Sequence, residues 1–240
     1  MKTRRPFVEF SPEAHETWRI MAHNQWEQVE RHASRLWLDG MPALNVTRDR
    51  IPNFAVMDGV LSDLVGWDLV STDIQYSNDQ DWFVAMAQRE FLITEYIRDR
   101  KDIDYTPLPD IFHDSFGHLP FMANRAFADY CQRFGQTALM HPDSQRYSIK
   151  TMWWYTVEFG LVKERGELKA LGAGLISSRA EMARAFDGSV ELLPFELTAF
   201  ETIAASPHAY HPQFFVLDSM DQLYDALEQW HKAHPVPETA

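Results

Sequence analysis

Three side chains in this 240-residue chain have types and spacing that could do chemistry together: His113, His118 and Glu158. The histidines stand five apart in Pro109-Asp110-Ile111-Phe112-His113-Asp114-Ser115-Phe116-Gly117-His118-Leu119-Pro120, a run that otherwise reads as buried. Glu158 follows forty residues later in Trp154-Tyr155-Thr156-Val157-Glu158-Phe159-Gly160-Leu161, with no acid or base within four residues on either side. A buried carboxylate is costly unless it is paired, protonated or bound to metal. Two imidazoles and one carboxylate in apolar surroundings are the donor set of a facial triad for non-heme iron. Two readings of the histidines stand at this point: metal ligands, or hydrogen-bonded core residues in a chain that has ten histidines. The spacing is not the His-Glu-x-x-His of zinc hydrolases, in which the ligands share one helix face around a general-base Glu. On a regular α-helix residues i and i+5 point about 140° apart. The helix must therefore end or distort near Gly117 and Pro120 for the two rings to meet.

The elements that must position these groups are mostly helical. Ser11-Pro12-Glu13 is a helix start, with an N-cap, a first-turn proline and an acid. It predicts a long helix to about residue 39, ended by Gly40. Helical spacing of Val56, Val60, Leu61 and Leu64 predicts a second helix over 54–64. A short strand is expected over 66–70, then a helix over 79–98 that delivers Arg98. Further helices are expected over 124–139, from residue 144 or 145 through Trp153, Trp154 and Glu158, from Pro194, and from the Ser219 capping box to about residue 234. Short strands are expected over 167–171 and 214–217. Ser178-Arg179-Ala180-Glu181 is another capping box. His15, His23 and His32 read as solvated or satisfied; His141, His208 and His211 read as loop residues.

No Pro/Gly/Ser linker divides the chain, so we expect one domain over 1–240, with its core at about 10–235. A net charge of −13 argues against a nucleic-acid or anionic-membrane surface. No run approaches the ~20 apolar residues of a membrane span. The basic start of the chain has no apolar segment after it, and Cys131 is the only cysteine. The expected setting is a reducing one, the cytoplasm.

Three stretches together resemble a known family. Tyr105-Thr106-Pro107-Leu108, continued by the histidine run to Pro120, resembles the iron-binding signature of the pterin-dependent aromatic amino acid hydroxylases, especially the short bacterial phenylalanine hydroxylases. The run from Trp154 to Leu161 resembles the signature that carries the carboxylate ligand. Gly172-Ala173-Gly174-Leu175-Ile176-Ser177-Ser178 resembles a third. They stand in family order and at family-like separations. The likeness extends over about residues 10–220 and is weakest over 68–82.

The resemblance implies a mostly α fold with a small β-sheet, the catalytic-domain fold of that family. It implies Fe(II) on His113, His118 and Glu158, a tetrahydropterin (tetrahydrobiopterin or a related pterin) as two-electron donor, and O2 as co-substrate. Arg98 matches the arginine that grips the substrate carboxylate, a task suited to its planar fork. Thr106 and Asp110 match positions around the substrate amino-acid group, with Asp110 orienting Arg98. Trp154 and Phe159 match pocket walls, Gly174 permits close approach, and Ser177 matches a residue that hydrogen-bonds an iron-ligating histidine. Trp82 matches the aromatic that stacks on the pterin, and Asp114 and Trp153 fall on the pterin side.

Two departures accompany the likeness. Residues 71–81 are polar and lack Gly and Pro, where the family usually has an apolar Gly- or Pro-containing pterin loop. Trp153 stands where Tyr is common. The expected activity is hydroxylation of the ring of a free aromatic L-amino acid, phenylalanine by default, by a monomer. Tryptophan or tyrosine as substrate, and an iron-binding relative with altered or lost pterin use, stand as alternatives. Zinc hydrolysis is disfavoured because the general-base Glu is missing.

Overall fold

The structure, a computed structural model, describes residues 5–74, 78–104, 106, 108–203 and 209–236. Helix α1 (Pro12–His32) starts where Ser11 accepts from the Ala14 N–H, and its apolar face carries Trp18, Met21 and Val29 inward. It does not run on to Gly40. The chain breaks at Ala33, which forms a parallel bridge to Ala170, and the buried Ser34 then caps α2 (Arg35–Ala43). Ser34 also donates its N–H to the Ala170 carbonyl at 2.9 Å, so pairing with a strand outweighs helix continuity. Gly40 has a different task from the expected one. It lies inside α2, where a Cβ would come within 1.8 Å of the Pro120 carbonyl oxygen. Only glycine lets this helix close on the chain just after His118.

Helix α3 (Phe54–Val65) ends at Gly66 in the left-handed region, φ +73°, and β1 (Asp68–Thr72) follows. Helix α4 (Asp79–Ala87), capped by Asn78, stops well short of Arg98. Its successor is β2 (Glu90–Thr94), which pairs in parallel with β1 from Asp68↔Glu90 to Thr72↔Thr94. Apolar runs such as Phe91-Leu92-Ile93 suit a buried strand as well as a helix, and periodicity alone does not separate the two. Arg89 makes the reversal at φ +59°. Its guanidinium holds that backbone through the Val65 carbonyl (2.8 Å) and Gln132 (2.9 Å).

A π-helical segment, His113–His118, runs directly into α5 (Leu119–Met122), then α6 (Arg125–Met140). Helix α7 (Arg146–Trp153) passes into a second π-helical segment, Trp154–Glu158. Strands β3 (Leu161–Glu164) and β4 (Glu167–Ala170) form a hairpin, and α8 (Ala173–Ser177) and α9 (Arg179–Phe186) follow. The segment from Pro194 is not a helix start. It closes β5 (Glu191–Pro194), with a 3₁₀ turn at Leu197–Glu201. Strand β6 (Gln213–Leu217) completes a four-stranded sheet in the order β4-β3-β6-β5, and α10 (Met220–Ala233) ends the described chain. The fold is thus mostly helical with small sheets.

The first π segment sits on an aromatic core. Phe112 and Phe116 stack at 4.6 Å, and Trp18 and Trp37 meet them edge-on at 5.0 and 5.1 Å. The Trp37 indole donates to the Phe116 carbonyl at 2.7 Å. On α1, Gln25 donates to the Leu175 and Ile176 carbonyls at the end of α8. The helices thereby brace both chain segments that meet at the histidines. No helix among the described residues is long and apolar enough to cross a membrane.

Candidate metal centre

The π turn resolves the spacing of the two histidines. Hydrogen bonds in a π-helix run i→i+5, so residue i lies over residue i+5; here the Leu119 N–H reaches the Asp114 carbonyl. His113 and His118 consequently face the same side. Their Nε2 atoms are 3.0 Å apart and the rings are perpendicular. Of the two expectations for this stretch, a helix end or a distortion, the structure shows the distortion: the helix does not end at Gly117, but its pitch widens and it continues. The second π segment does the same for its own i, i+5 pair: Trp153 Nε1 donates to Glu158 Oε1 at 2.9 Å.

Glu158 Oε1 lies 3.1 Å from His118 Nε2, and Oε2 lies 3.4 Å from His113 Nε2. Cis donors around an octahedral ion with bonds of about 2.1 Å are about 3.0 Å apart. The His113–His118 and His118–Oε1 separations meet that value, while His113 faces the other carboxylate oxygen at a slightly longer 3.4 Å. His113, His118 and Glu158 form the one group of three potential metal-ligating side chains found among the described residues. The donors fit a divalent iron: imidazole and carboxylate, three on one face. His113 Nδ1 is 2.9 Å from Ser177 Oγ, which fixes the ring and aims Nε2 at the other donors.

Charge at the centre is coupled. Burial pulls the His113 imidazole down, but the hydrogen bond and charge of Glu158, with Asp114 and Asp110, hold it above its ordinary value. Burial acts to raise Glu158, yet His118 and His113 hold its carboxyl well below the usual range. A metal must displace the proton that Glu158 favours on His113. Apparent metal affinity should therefore rise with pH across about pH 6 to 8. Calorimetric titration of the apo protein with Co(II) checks this, and an affinity flat across that range would contradict it.

Around the triad lies a cavity of about 430 Å³. Twelve of the thirteen residues singled out in the sequence line it; Asp110 does not, because it lies behind Arg98. Arg98 stands in the segment after β2, not on a helix, and its side chain is only 3% exposed. Asp110, fully buried, accepts from Arg98 Nε at 2.9 Å, Nη2 at 2.8 Å and the Arg98 N–H at 2.8 Å, and from the His113 N–H at 3.0 Å. Burial raises its carboxyl, and the Arg98 charge and hydrogen bonds more than reverse that. Asp110 thus ties Arg98 and the metal-ligand segment to one anchor.

Asp114 is held by Thr94, whose N–H and Oγ1 both donate to Oδ2 at 2.8 Å; burial pushes its carboxyl up. Trp82 meets Trp153 edge-on at 5.0 Å. Trp154 and Phe159 pack at 4.8 Å, and a Cβ on Gly174 would lie 2.4 Å from Phe159 Cζ. Thr106 lines the cavity beside Leu108; Tyr105 and Pro107 lie outside the described residues. The polar stretch over 71–81 divides into the end of β1, the capped start of α4, and residues 75–77, which lie outside the described residues, as does His208. Asp79 pairs with Lys150 across the cavity lining.

The sequence reading missed three supports. Trp153 contacts the carboxylate ligand, a link its i, i+5 spacing to Glu158 could have signalled, since it repeats that of the histidines. Thr94 holds Asp114, and no local signal marks it. His211 does lie in a loop, as expected, but its ring is buried, 3.9 Å from Phe159, which the loop reading did not foresee. The remaining histidines set aside as satisfied have partners, His15 with the Ile51 N–H and His23 with Asp49, while His32 stacks on Phe186. His141 is likewise buried, between Gln145 and His231.

Trp153→Phe keeps the ring and removes the donor. Metal affinity should fall about tenfold, as on loss of other ligand-orienting groups. The same Co(II) titration reads it, and an unchanged affinity would mean that the histidines alone orient Glu158.

The chain is 34% identical to a phenylalanine-4-hydroxylase of Mesorhizobium japonicum over 92% of its length and 80% of the relative's. It is 31% identical to that of Chromobacterium violaceum, over 92% and 75%. The crystal structure of the Chromobacterium violaceum phenylalanine hydroxylase with bound oxidized Fe(III) superposes with a TM-score of 0.87 at 30% identity, over 94% of this chain and 84% of that one. Residues 2–237 match the family of biopterin-dependent aromatic amino acid hydroxylases. With that match spanning nearly the whole sequence, the chain belongs to the biopterin-dependent aromatic amino acid hydroxylase family.

Proposed function

We propose that the protein hydroxylates the ring of free L-phenylalanine, using Fe(II) on His113, His118 and Glu158, a tetrahydropterin and O2. The observation that carries this reading is the triad set in the wall of a cavity that also presents Arg98 and the aromatic pair Trp154 and Phe159. Iron and pterin together activate O2 for insertion into the ring. The chain's own residues bind, orient and exclude water. Arg98, held by Asp110, receives the amino acid's carboxylate. Trp154 and Phe159 flank the ring and keep the site dry, which protects a reactive oxidant from solvent. Trp82, near the start of α4 and edge-on to Trp153, would hold the pterin by stacking. Asp114, its carboxyl raised and anchored by Thr94, contacts the pterin side, and Ser177 keeps His113 in register.

An aerobic assay with Fe(II), tetrahydrobiopterin and each of phenylalanine, tyrosine and tryptophan tests the reading, with products resolved by chromatography and mass. The expected result is a pterin-dependent product one oxygen heavier, formed fastest from phenylalanine. Faster turnover of tyrosine or tryptophan would reassign the substrate. Iron uptake without pterin-dependent product from any of them would overturn the reading.

A further inference from the structure

We propose that His211, clamped by Glu181, is a positioning residue for the aromatic substrate: it backs the Phe159 wall and so sets how large a ring fits beside the metal centre. The inference rests on the aromatic amino acid reading above. His211 precedes β6 and contributes nothing to the cavity lining itself. Its side chain is 2% exposed, and a buried imidazole is costly unless its polar atoms are paired.

Glu181 supplies the pairing for one ring nitrogen, Nδ1, while the buried Nε2 has no hydrogen-bond partner among the described residues. Its Oε1 accepts from the His211 N–H at 3.0 Å and lies 2.6 Å from Nδ1. Glu181 is itself fully buried in the first turn of α9, three residues after the Ser178 cap, and Ser178 adjoins the serine that holds His113. One turn further, Arg184 donates Nη2 to the His211 carbonyl at 3.1 Å. Backbone and ring of His211 are thereby fixed to the same helix.

The ring is pressed against the pocket wall from behind. It lies 3.9 Å from the Phe159 ring at 31°, and 5.5 Å from Trp154 at 32°. Phe159 is already in contact at Gly174, where even a methyl group would clash. Bounded by Gly174 and by His211, Phe159 has little room to shift. An apolar side chain at 211 could slide to follow a larger substrate. One hydrogen-bonded to a buried carboxylate cannot move without breaking that bond and leaving Oε1 buried without it, with the His211 N–H and Arg184 Nε, 3.7 Å from Oε2, still facing the carboxylate. The geometry thus converts a distant clamp into a limit on ring size.

His211→Gln keeps a donor for Glu181 and removes the plate; His211→Ala removes both. Together with the Co(II) titration of the apo protein described above, two measurements separate the outcomes. The first is calorimetric affinity of the Co(II)-loaded protein for L-phenylalanine and L-tryptophan. The second is KM, kcat and product formed per pterin oxidised with Fe(II) and tetrahydrobiopterin. For His211→Gln the KM for phenylalanine should rise about tenfold, and the tryptophan-to-phenylalanine ratio of kcat/KM should rise by a similar factor. Co(II) affinity should stay within about twofold, since the metal ligands are untouched. His211→Ala should show the same direction with a larger effect. An unchanged KM and substrate ratio in His211→Gln would make His211 an ordinary core residue and overturn the proposal. A loss of Co(II) affinity with KM unchanged would also overturn it, placing the residue's effect on the metal segment. A wild-type protein that binds neither amino acid would remove the functional reading, and this proposal with it.

Discussion

Glu158→Gln should abolish pterin-dependent product and weaken Fe(II) binding more than about a hundredfold. The substitution is nearly isosteric, and a glutamine oxygen can still accept from the Trp153 indole, so the fold around the second π segment is kept. What is lost is the only formal negative charge in the donor set. Two neutral imidazoles and an amide oxygen are a poor match for a hard divalent cation. Loss of a group that merely orients a metal ligand already costs about 10- to 100-fold, so loss of the charged ligand costs more. The His113 proton that Glu158 favours is released as well, since its main stabilising partner is gone. Anaerobic titration with Fe(II), followed by the aerobic assay on the loaded variant, reads both effects. Normal turnover by Glu158→Gln would remove the triad assignment.

The triad was legible in the sequence by residue type, but its geometry was not. The i, i+5 histidines look misplaced on any regular helix, and only the π turn brings them together. No simple periodicity announces such a turn. It is stabilised here by tertiary packing: Trp37 on the Phe116 carbonyl, and α2 closing over Pro120 at Gly40. Arg98 was singled out because, at its separation from the histidines, it matches the arginine of the resembled family, although the expected helix was wrong. The failure was physical. Phe91-Leu92-Ile93 lacks a helical or a strand period, and the choice was made by a partner strand that local sequence does not reveal. The helix break at Ala33 fails in the same way, since the Ala170 bridge that causes it is distant in sequence. His211 shows the converse limit. Beside Pro207 and Pro212 it reads as a loop residue, and its burial depends on a carboxylate thirty residues earlier.

Arg98→Ala should do more than weaken substrate binding. The simplest expectation is a higher KM for the amino acid, about a hundredfold, because a charge-assisted two-point contact with its carboxylate is lost. The buried pair adds a stability cost. Asp110 is left without the guanidinium in a fully buried position, and breaking such a pair costs about 3–5 kcal/mol. Asp110 also accepts from the His113 N–H, so the metal-ligand segment loosens with it, and iron affinity should fall rather than stay constant. Arg98→Lys separates the effects. It keeps a positive charge for Asp110 while losing the planar fork, so KM rises with a smaller loss of stability. The pH dependence fixes the cause. In the wild type the Asp110 carboxyl is held below its ordinary value, so its stabilisation is complete above that value and is lost only as pH falls through the depressed one. In Arg98→Ala burial is opposed only by the backbone N–H groups of residues 98 and 113, so the carboxyl rises from its wild-type position and acidification protonates it and relieves its cost. The gap in Tm between wild type and Arg98→Ala should therefore be widest near neutral pH and narrow as the pH is taken down toward about 4. A gap independent of pH would mean that the loss comes from packing of the arginine side chain against Phe112 rather than from the stranded charge of Asp110.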